Sequence, residues 1–600
     1  MFSLKQLLLA PAVACTIVLA ACGGGSTPPP SPVFTTVPPT SAAEGSPYSY
    51  APMATDPAGG TVTFTLSSAP PGAKMSSGTV MWTPTPDESR LSNQLTLTAT
   101  SSEGGKASQS WTLNPSGTVN GSWIDTYWEP AGPVHIPINW AVFGSTPKAL
   151  VPQPDGSFVT LNASVQTDGS FSIVNVPGGY YWFQFANNAF WTSSSTIDFG
   201  ADISGRRLAT TSTSQTTTFH FTVDGLNPVQ RGDQFAFFTD LANPFNIGFS
   251  ITSPVGSTAM DATFFNRSNL DYSAAKNGFL LQYEPEVVGS FAGIALGTES
   301  SIPSLSLING STNTLSGTLA PAPASQFDLS VKGSEWSTAF QNVAPGTATP
   351  VDAFTNVFAQ PYTPADVLAS TARFDLNLPL FLPNVVSTGS GFLLGWSGAS
   401  SCVDTVQFSP LNATAHPAIV DDEDFGLLHF SDPFPSEWKR VFSFCQTASF
   451  EMPIPGSSST APVLFGVGQN TNIPAAPISP LIFPVKDPTI NGTSLFTTGA
   501  VNPTGITLSW SESDGAAPYG YKVALFLLRS LSDGTSNYFP AGTFTTGKTS
   551  MTLPPLQSGQ TYVMALSARV DGKADVEKSP NRSALPTAYA TVVSAPITTN

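Results

Sequence analysis

The sequence predicts an all-β protein with tandem β-sandwich domains and a larger β-rich central region, preceded by a signal peptide and a flexible tether. Apolar and polar residues alternate in short runs, as at Val62, Phe64 and Leu66, which is the period of a half-buried strand. Turn residues are frequent, with 50 Gly and 55 Pro among 600 residues. Runs at intervals of about ten residues are typical of sandwiches. The one clear helix start is Thr363-Pro364, where Thr caps and Pro opens the first turn.

Length and charge limit the number of cores and the class of partner. A chain of 600 residues is too long for one hydrophobic core, so several domains are expected. Charged residues make up only 10%, against roughly 25% in an average soluble domain. The 39 acidic and 22 basic residues give a net charge of −17. A field of that sign repels nucleic acid and anionic lipid, so neither is expected as a partner.

The N-terminus predicts export and a lipid anchor. Residues 1–21 contain an apolar run shorter than the roughly 20 residues that span a bilayer, which favours a signal peptide. The run ends in Leu19-Ala20-Ala21-Cys22, which resembles the lipobox of bacterial lipoproteins. The resemblance implies that Cys22 is acylated and becomes the first residue of the mature chain. Several acyl chains anchor stably, so we expect a location in the bacterial cell envelope, at the outer membrane or cell surface.

Residues 22–32 follow as the lipidated cysteine and a tether rich in Gly, Ser and Pro. Such a segment cannot bury a core and acts as a spacer. It predicts that the domains stand away from the membrane to which Cys22 is attached.

The remaining cysteines predict a disulfide. Cys15 lies in the signal peptide and Cys22 is lipidated, which leaves Cys402 and Cys445. In an exported protein a single remaining pair is expected to be bridged. Closing a loop of about 44 residues would stabilise the fold by roughly 3–4 kcal/mol. The alternative is two buried free thiols.

Three segments carry motifs of sandwich domains. Residues 33–115 contain Glu44 to Tyr50 and Trp82-Thr83-Pro84, and they resemble bacterial Ig-like modules that are close to cadherin-type repeats. Residues 116–205 contain Asp168 to Ile173 and Val176 to Tyr180, and they are similar to carboxypeptidase-regulatory-like sandwiches, which implies a small domain without an active site. Residues 486–600 contain Trp510 and Leu556 to Tyr562. They resemble the fibronectin type III module, which implies that Tyr562 ties its hydroxyl to upstream backbone.

Residues 206–485 are a β-rich region of unknown function, in one or two domains. Phe219, Phe221 and Val223 alternate there, so His220 between them is predicted to face solvent. Arg231-Gly232-Asp233 spells the integrin-binding tripeptide, but Gly-Asp is also ordinary turn chemistry.

The sequence does not predict an enzyme. A catalytic nucleophile needs a base, usually His, and only four His occur. No two of them lie at zinc-ligand spacing. Gly395 to Ala399 approaches a nucleophile elbow, but its last glycine is one place early, and no helix signal follows.

Two candidate binding features remain. Asp421, Asp422, Glu423 and Asp424 concentrate carboxylates that could hold calcium, with a solvated acidic turn as the alternative. No other cofactor is expected. An aromatic run could stack on sugars if exposed, with a two-sided buried strand as the alternative; its candidate ligand-binding residues are Tyr181, Trp182, Phe183 and Trp191.

These observations predict a cell-surface lipoprotein that acts in adhesion, or binds a matrix protein or polysaccharide, through its sandwich modules. One alternative is a carbohydrate-active or other hydrolytic enzyme within residues 206–485, with the sandwiches as accessories. Another is a purely structural envelope protein without a specific ligand.

Overall fold

The computed structural model describes residues 29–129, 131–140, 144–204, 211–241, 247–288, 291–345, 354–360, 416–417, 420–431, 441–453, 460–471, 477–530 and 536–600. The chain divides into two compact units, residues 1–115 and 116–600. Nearly all regular structure in the described ranges is β, which confirms the predicted fold class. The helices found there are too short or too polar to cross a membrane.

The first unit is a β-sandwich. One sheet has the order β2-β6-β5 and the other β4-β7-β8, with β1 and β3 as a separate pair. Tyr50 and Trp82 from the first sheet meet Leu95 and Leu97 from the second in a common core. The strands are β1 Val33–Phe34, β2 Tyr48–Tyr50, β3 Ala54–Thr55, β4 Val62–Ser68, β5 Lys74–Ser76, β6 Thr79–Trp82, β7 Asn93–Ser101 and β8 Lys106–Leu113.

The second unit begins with a β-sandwich whose core is rich in aromatic side chains. Trp123 and Trp140 pack edge-on with ring centroids 5.0 Å apart, in a core that Phe171, Phe183 and Phe199 share. The strands are β9 Gly117–Ser122, β10 Ile124–Glu129, β11 Gly132–Pro137, β12 Lys148–Pro152, β13 Phe158–Asn162, β14 Ser164–Val165, β15 Ser170–Val176, β16 Tyr181–Phe185, β17 Asn188–Thr192, β18 Thr196–Asp198 and β19 Asp202–Ser204.

A second sandwich with its own core follows. Phe219 and Phe221 on one sheet meet Phe235 and Phe237 on the other, and His220 points to the opposite face, where it hydrogen-bonds to Thr263, as the alternation predicts. A 3-10 turn, Tyr272–Ala274, lies between β23 and β24. The strands are β20 Thr211–Asp224, β21 Gln234–Thr239, β22 Ile247–Ser250, β23 Ala259–Leu270, β24 Asn277–Val288, β25 Phe291–Pro303, β26 Thr312–Thr318 and β27 Ala320–Pro321.

The rest of the central region joins a different core. Trp336 of the short helix α1 packs on Phe444, with ring centroids 4.7 Å apart, in the cluster that also contains the C-terminal core. The elements are β28 Ala324–Lys332, α1 Gly333–Thr338, β29 Phe354–Gln360, β30 His416–Pro417, β31 Asp422–Ser431, β32 Val441–Pro453 and β33 Thr460–Thr471.

The C-terminal module contains Trp510 packed edge-on against Tyr521, at 5.2 Å. The backbone N–H of Gln557 donates to the Tyr562 hydroxyl oxygen at 3.3 Å, which confirms the predicted tie to upstream backbone. The strands are β34 Lys486–Ile490, β35 Thr493–Ser494, β36 Gly499–Val501, β37 Thr507–Ser511, β38 Gly520–Ser530, β39 Ser536–Thr546, β40 Ser550–Thr552, β41 Thr561–Asp571, β42 Thr587–Val593 and β43 Ile597–Thr599.

One long sheet crosses the second unit. Its path is β13-β12-β16-β17-β39-β38-β41-β42-β33-β32-β29-β30. β17 pairs in parallel with β39, and β33 pairs antiparallel with β42. Strands from residues 116–205, 206–485 and 486–600 therefore belong to one sheet, and the first of these two contacts positions the site described next.

Candidate functional site

Strand β16 faces two different cores. Tyr181 and Phe183 are 1% and 0% exposed and point into the core of residues 116–204. Trp182 is 0% exposed and belongs to the C-terminal core. Its ring centroid is 5.5 Å from that of Phe544, and its indole N–H donates to the Thr552 carbonyl at 3.1 Å.

Trp191 has an aromatic neighbour on either side. Tyr180 stacks on it at 5.7 Å with an interplanar angle of 17°, and Trp182 lies 5.0 Å away. The Lys548 ammonium group lies 5.3 Å from the centroid of the Tyr180 ring. This packing corrects the sugar-binding interpretation for β16: Tyr181, Trp182 and Phe183 are buried on the two faces of the strand and form no exposed aromatic row, while Trp191 on β17 is partly buried.

Beside these aromatic residues, a loop from the C-terminal module reaches across to residues 116–204. We call the segment from Asp571, the last residue of β41, to Pro586, the residue before β42, the strap. Asp571 organises it by accepting hydrogen bonds from the N–H groups of Lys573 at 2.8 Å, Ala574 at 2.9 Å and Ala584 at 3.1 Å. The Ser583 hydroxyl donates to the same carboxylate. The strap is therefore ordered by its own first residue.

Arg582 is the central contact of the strap. Its Nε and Nη2 donate to the two Asp198 carboxylate oxygens at 2.8 and 3.1 Å. Nη1 donates to Asp202 Oδ1 at 3.0 Å and to the Ala201 carbonyl at 3.1 Å, and Nη2 also reaches the Ile124 carbonyl at 3.1 Å. The side chain is only 13% exposed. Its planar guanidinium group binds the Asp198 carboxylate through two hydrogen bonds, which is the usual bidentate geometry of Arg–carboxylate pairs.

The electrostatics favour the charged guanidinium. Burial opposes the charge on Arg582, but hydrogen bonding to Asp198 and the charges of Asp198, Asp202 and Asp125 outweigh it and raise its pKa above the usual value. Lys573 also pairs with Asp202. Two cations of the strap thus pair with Asp198 and Asp202 of residues 116–204.

The strap is fixed at further points. Glu577 accepts from the Tyr180 hydroxyl at 3.0 Å and from the Ser193 hydroxyl at 2.9 Å. The Asp198 N–H donates to the Lys578 carbonyl at 2.7 Å, which continues the backbone pairing at the edge of β18. In these contacts, charged and hydrogen-bonding groups of the strap pair with groups on residues 116–204. The site is therefore an interface between two modules of the chain, and we call it the joint.

The predicted calcium turn lies elsewhere, at the start of β31. Asp422 pairs with the Lys332 ammonium at 2.6 Å and accepts from the Ser334 hydroxyl at 2.6 Å. The Lys332 hydrogen bond, followed by that of Ser334, lowers the pKa of Asp422 to about 2. Asp424 accepts from the Gly426 N–H at 2.9 Å. Calcium binding at residues 421–424 stays a prediction, and an ion there would compete with Lys332 for Asp422.

Other predicted residues lie wholly or partly outside the described ranges. Cys22, Cys402 and the segment 395–399 are outside them. Cys445 lies in β32, opposite Gly468, but its side chain is not among those described. The Cys402–Cys445 disulfide and the lipidation therefore stay predictions. Within the described ranges, no group of three or more His, Cys, Asp or Glu is placed to hold a metal ion.

Asp233 of the Arg-Gly-Asp tripeptide is a turn residue. It is 1% exposed, and its Oδ2 accepts from the Gln230 N–H at 2.9 Å and from Gln282 Nε2 at 3.0 Å. A buried carboxylate cannot be presented to a receptor. The tripeptide therefore serves as a turn and does not present an adhesive motif.

Comparison with known proteins agrees with the β-sandwich reading of the first unit. Residues 31–116 match the family model described as "Putative Ig domain", and no curated protein matches. Solved structures similar to the chain include immunoglobulin domains 1–5 of Sidekick-1, at 10% identity and TM-score 0.14, covering 95% of this chain and 99% of that one. A protocadherin gammaB7 EC3–6 structure has 10% identity and TM-score 0.14, with coverages of 95% and 100%. At these TM-scores the likenesses carry no argument about function.

Proposed function

We propose that this protein is a lipid-anchored surface protein without enzymatic activity, which acts in adhesion or binds a matrix protein or polysaccharide through its sandwich modules. The observation that carries the proposal is the Ig-type module at residues 31–116, followed by further β-sandwiches in the same chain. Modules of this kind present loops and sheet faces on a rigid support. Because one fold hosts many functions, binding has to be tested directly.

The anchor is tested by substitution of the two N-terminal cysteines. Cys22→Ala removes the proposed acylation site and is expected to abolish incorporation of labelled palmitate and to release the protein from the membrane fraction. Cys15→Ala is the matched control, because it changes a cysteine of the signal segment and leaves Cys22 in place. Unchanged palmitate labelling in Cys22→Ala would contradict the anchor.

The binding role is tested with purified residues 23–600 on a glycan array and on immobilised matrix proteins. We expect saturable binding to at least one polysaccharide or matrix protein, and loss of adhesion to that surface by cells that carry Cys22→Ala. Absence of binding on the glycan array would rule out a polysaccharide ligand. Absence of binding to both the glycans and the matrix proteins, with the protein folded, would refute the binding role and favour a purely structural protein.

A further inference from the structure

We infer that the C-terminal module is a required part of the fold of residues 116–204, so that this sandwich is completed only when residues 486–600 are present. Three features of the joint support this: a shared sheet edge, a shared apolar face and the strap. In each of them, a group of residues 116–204 is covered or paired by the C-terminal module and would be left without that contact if the module were absent.

The sheet edge comes first. Without β39, strand β17 would be the edge of its sheet and would expose a row of unpaired backbone groups. In the structure, Asn188 and Phe190 lie opposite Thr543 and Thr545 of β39 in parallel pairing, and the Thr543 N–H donates to the Asn187 carbonyl at 2.7 Å. The C-terminal module therefore covers an edge that would otherwise be open.

The apolar face is the second feature. Leu150, Trp182 and Ala189 lie on β12, β16 and β17 but belong to the C-terminal core, and they are 8%, 0% and 1% exposed. On an isolated sandwich these side chains would form a contiguous apolar surface centred on a tryptophan. Such surfaces are liabilities for soluble proteins unless a partner covers them. Here the partner is a later part of the same chain.

The strap is the third feature. Asp202 is only 9% exposed and is neutralised by Arg582 and Lys573. Removing one partner of a buried charge pair costs more than the pair contributes, because the remaining charge stays desolvated. The Asp202 carboxylate therefore depends on the two cations of the strap, whereas Asp198, at 43% exposed, stays in contact with solvent.

During synthesis and export, residues 116–204 are expected to lack their partner for some time. Arg582 follows Asp198 by 384 positions, so residues 116–204 leave the export machinery long before their partner. A chain that lacks residues 486–600 would keep an open β17 edge and an exposed Trp182 face, which proteases recognise. The joint thus distinguishes chains that contain residues 486–600 from chains that lack them. This consequence rests on the proposed export, whereas the requirement for the module does not.

The test is hydrogen exchange with mass spectrometry on the full mature chain carrying Arg582→Ala. We expect amides in residues 117–128 and 181–204 to exchange about 100-fold faster, as well as those of the strap, because the joint opens as one unit. The matched control is Lys486→Ala, which removes an exposed ion pair with Asp514 in the same module and should leave residues 117–204 unchanged. Faster exchange confined to the strap would overturn the inference.

A second variant guards against general misfolding. Arg582→Lys keeps a positive charge beside Asp198 and Asp202 and should retain part of the protection in residues 117–204. If Arg582→Lys exchanges there as fast as Arg582→Ala, the charge of Arg582 is not what couples the modules. Neither result depends on acylation of Cys22, so failure here is separable from failure of the proposed anchor.

Discussion

Trp182 provides the most direct test of the shared core, because it lies on a strand of the sandwich formed by residues 116–204 while its side chain packs in the core of the C-terminal module. It is 0% exposed, contacts Phe544 at 5.5 Å between ring centroids, and donates to the Thr552 carbonyl at 3.1 Å. We therefore expect Trp182→Ala to destabilise the C-terminal module as well as residues 116–204.

The magnitude follows from the buried area. An aromatic side chain of this kind buries about 150–250 Å², which at about 25 cal/mol per Å² corresponds to about 4–6 kcal/mol. Alanine recovers part of this, so Trp→Ala changes in cores cost about 3–5 kcal/mol. The lost hydrogen bond to Thr552 adds about 1 kcal/mol. We expect the free energy of unfolding to fall by about 4–6 kcal/mol.

The assay is hydrogen exchange of the full chain, since unfolding of several modules is not a two-state transition. Protection of β38 and β41 in the C-terminal module should fall together with that of β16. Trp182→Phe is the control: it keeps an aromatic ring near Phe544 but loses the indole donor, so a cost of about 1–2 kcal/mol is expected. A cost below about 1 kcal/mol for Trp182→Ala, or unchanged protection in β38 and β41, would refute the shared core.

Three further predictions concern separate parts of the chain. Gly200→Ala should weaken the joint by at least about 2 kcal/mol, because a Cβ there would lie 2.0 Å from the Ile124 carbonyl oxygen; strap exchange rates measure this. The lowered pKa of Asp422, about 2 against the usual 3.8, means that its pairing stabilises the fold above pH 4 and is lost as pH falls toward 2; NMR titration of labelled Asp should show that pKa rise in Lys332→Ala. Cys445→Ser should lower stability by about 3–4 kcal/mol if peptide mapping of the wild type finds the 402–445 bridge, and free thiols in the unreduced chain would contradict that bridge.

Alternation along the chain was enough to predict local structure. Phe219, Phe221 and Val223 are all buried, with His220 on the other face, because a strand has a period of two and one face of this sheet covers a core. The tie between Gln557 and Tyr562 was also predictable, because a short motif encodes it. Features that depend on a few neighbouring residues are readable from one sequence.

The joint could not be predicted in this way. Arg582 and its acceptor Asp198 are 384 positions apart, and neither residue lies in a motif. Periodicity describes which face of a strand is apolar but does not say which part of the chain covers it. The same limit applied to the aromatic run at Tyr181, Trp182 and Phe183, whose pattern fits an exposed row as well as a buried strand.

Two strands at the contacts between modules are buried on both faces. In an antiparallel sandwich one face normally meets solvent, so strands alternate, and continuous apolar runs are typical of sheets covered on both sides. β16 is continuously apolar from Tyr181 to Phe183, and it meets two cores. β41 is buried from Tyr562 to Ala568, and its neighbour β42 pairs with β33 of the central region. At β16 and β41 the continuous apolar runs therefore lie where modules share a sheet, and the modules are coupled at those strands.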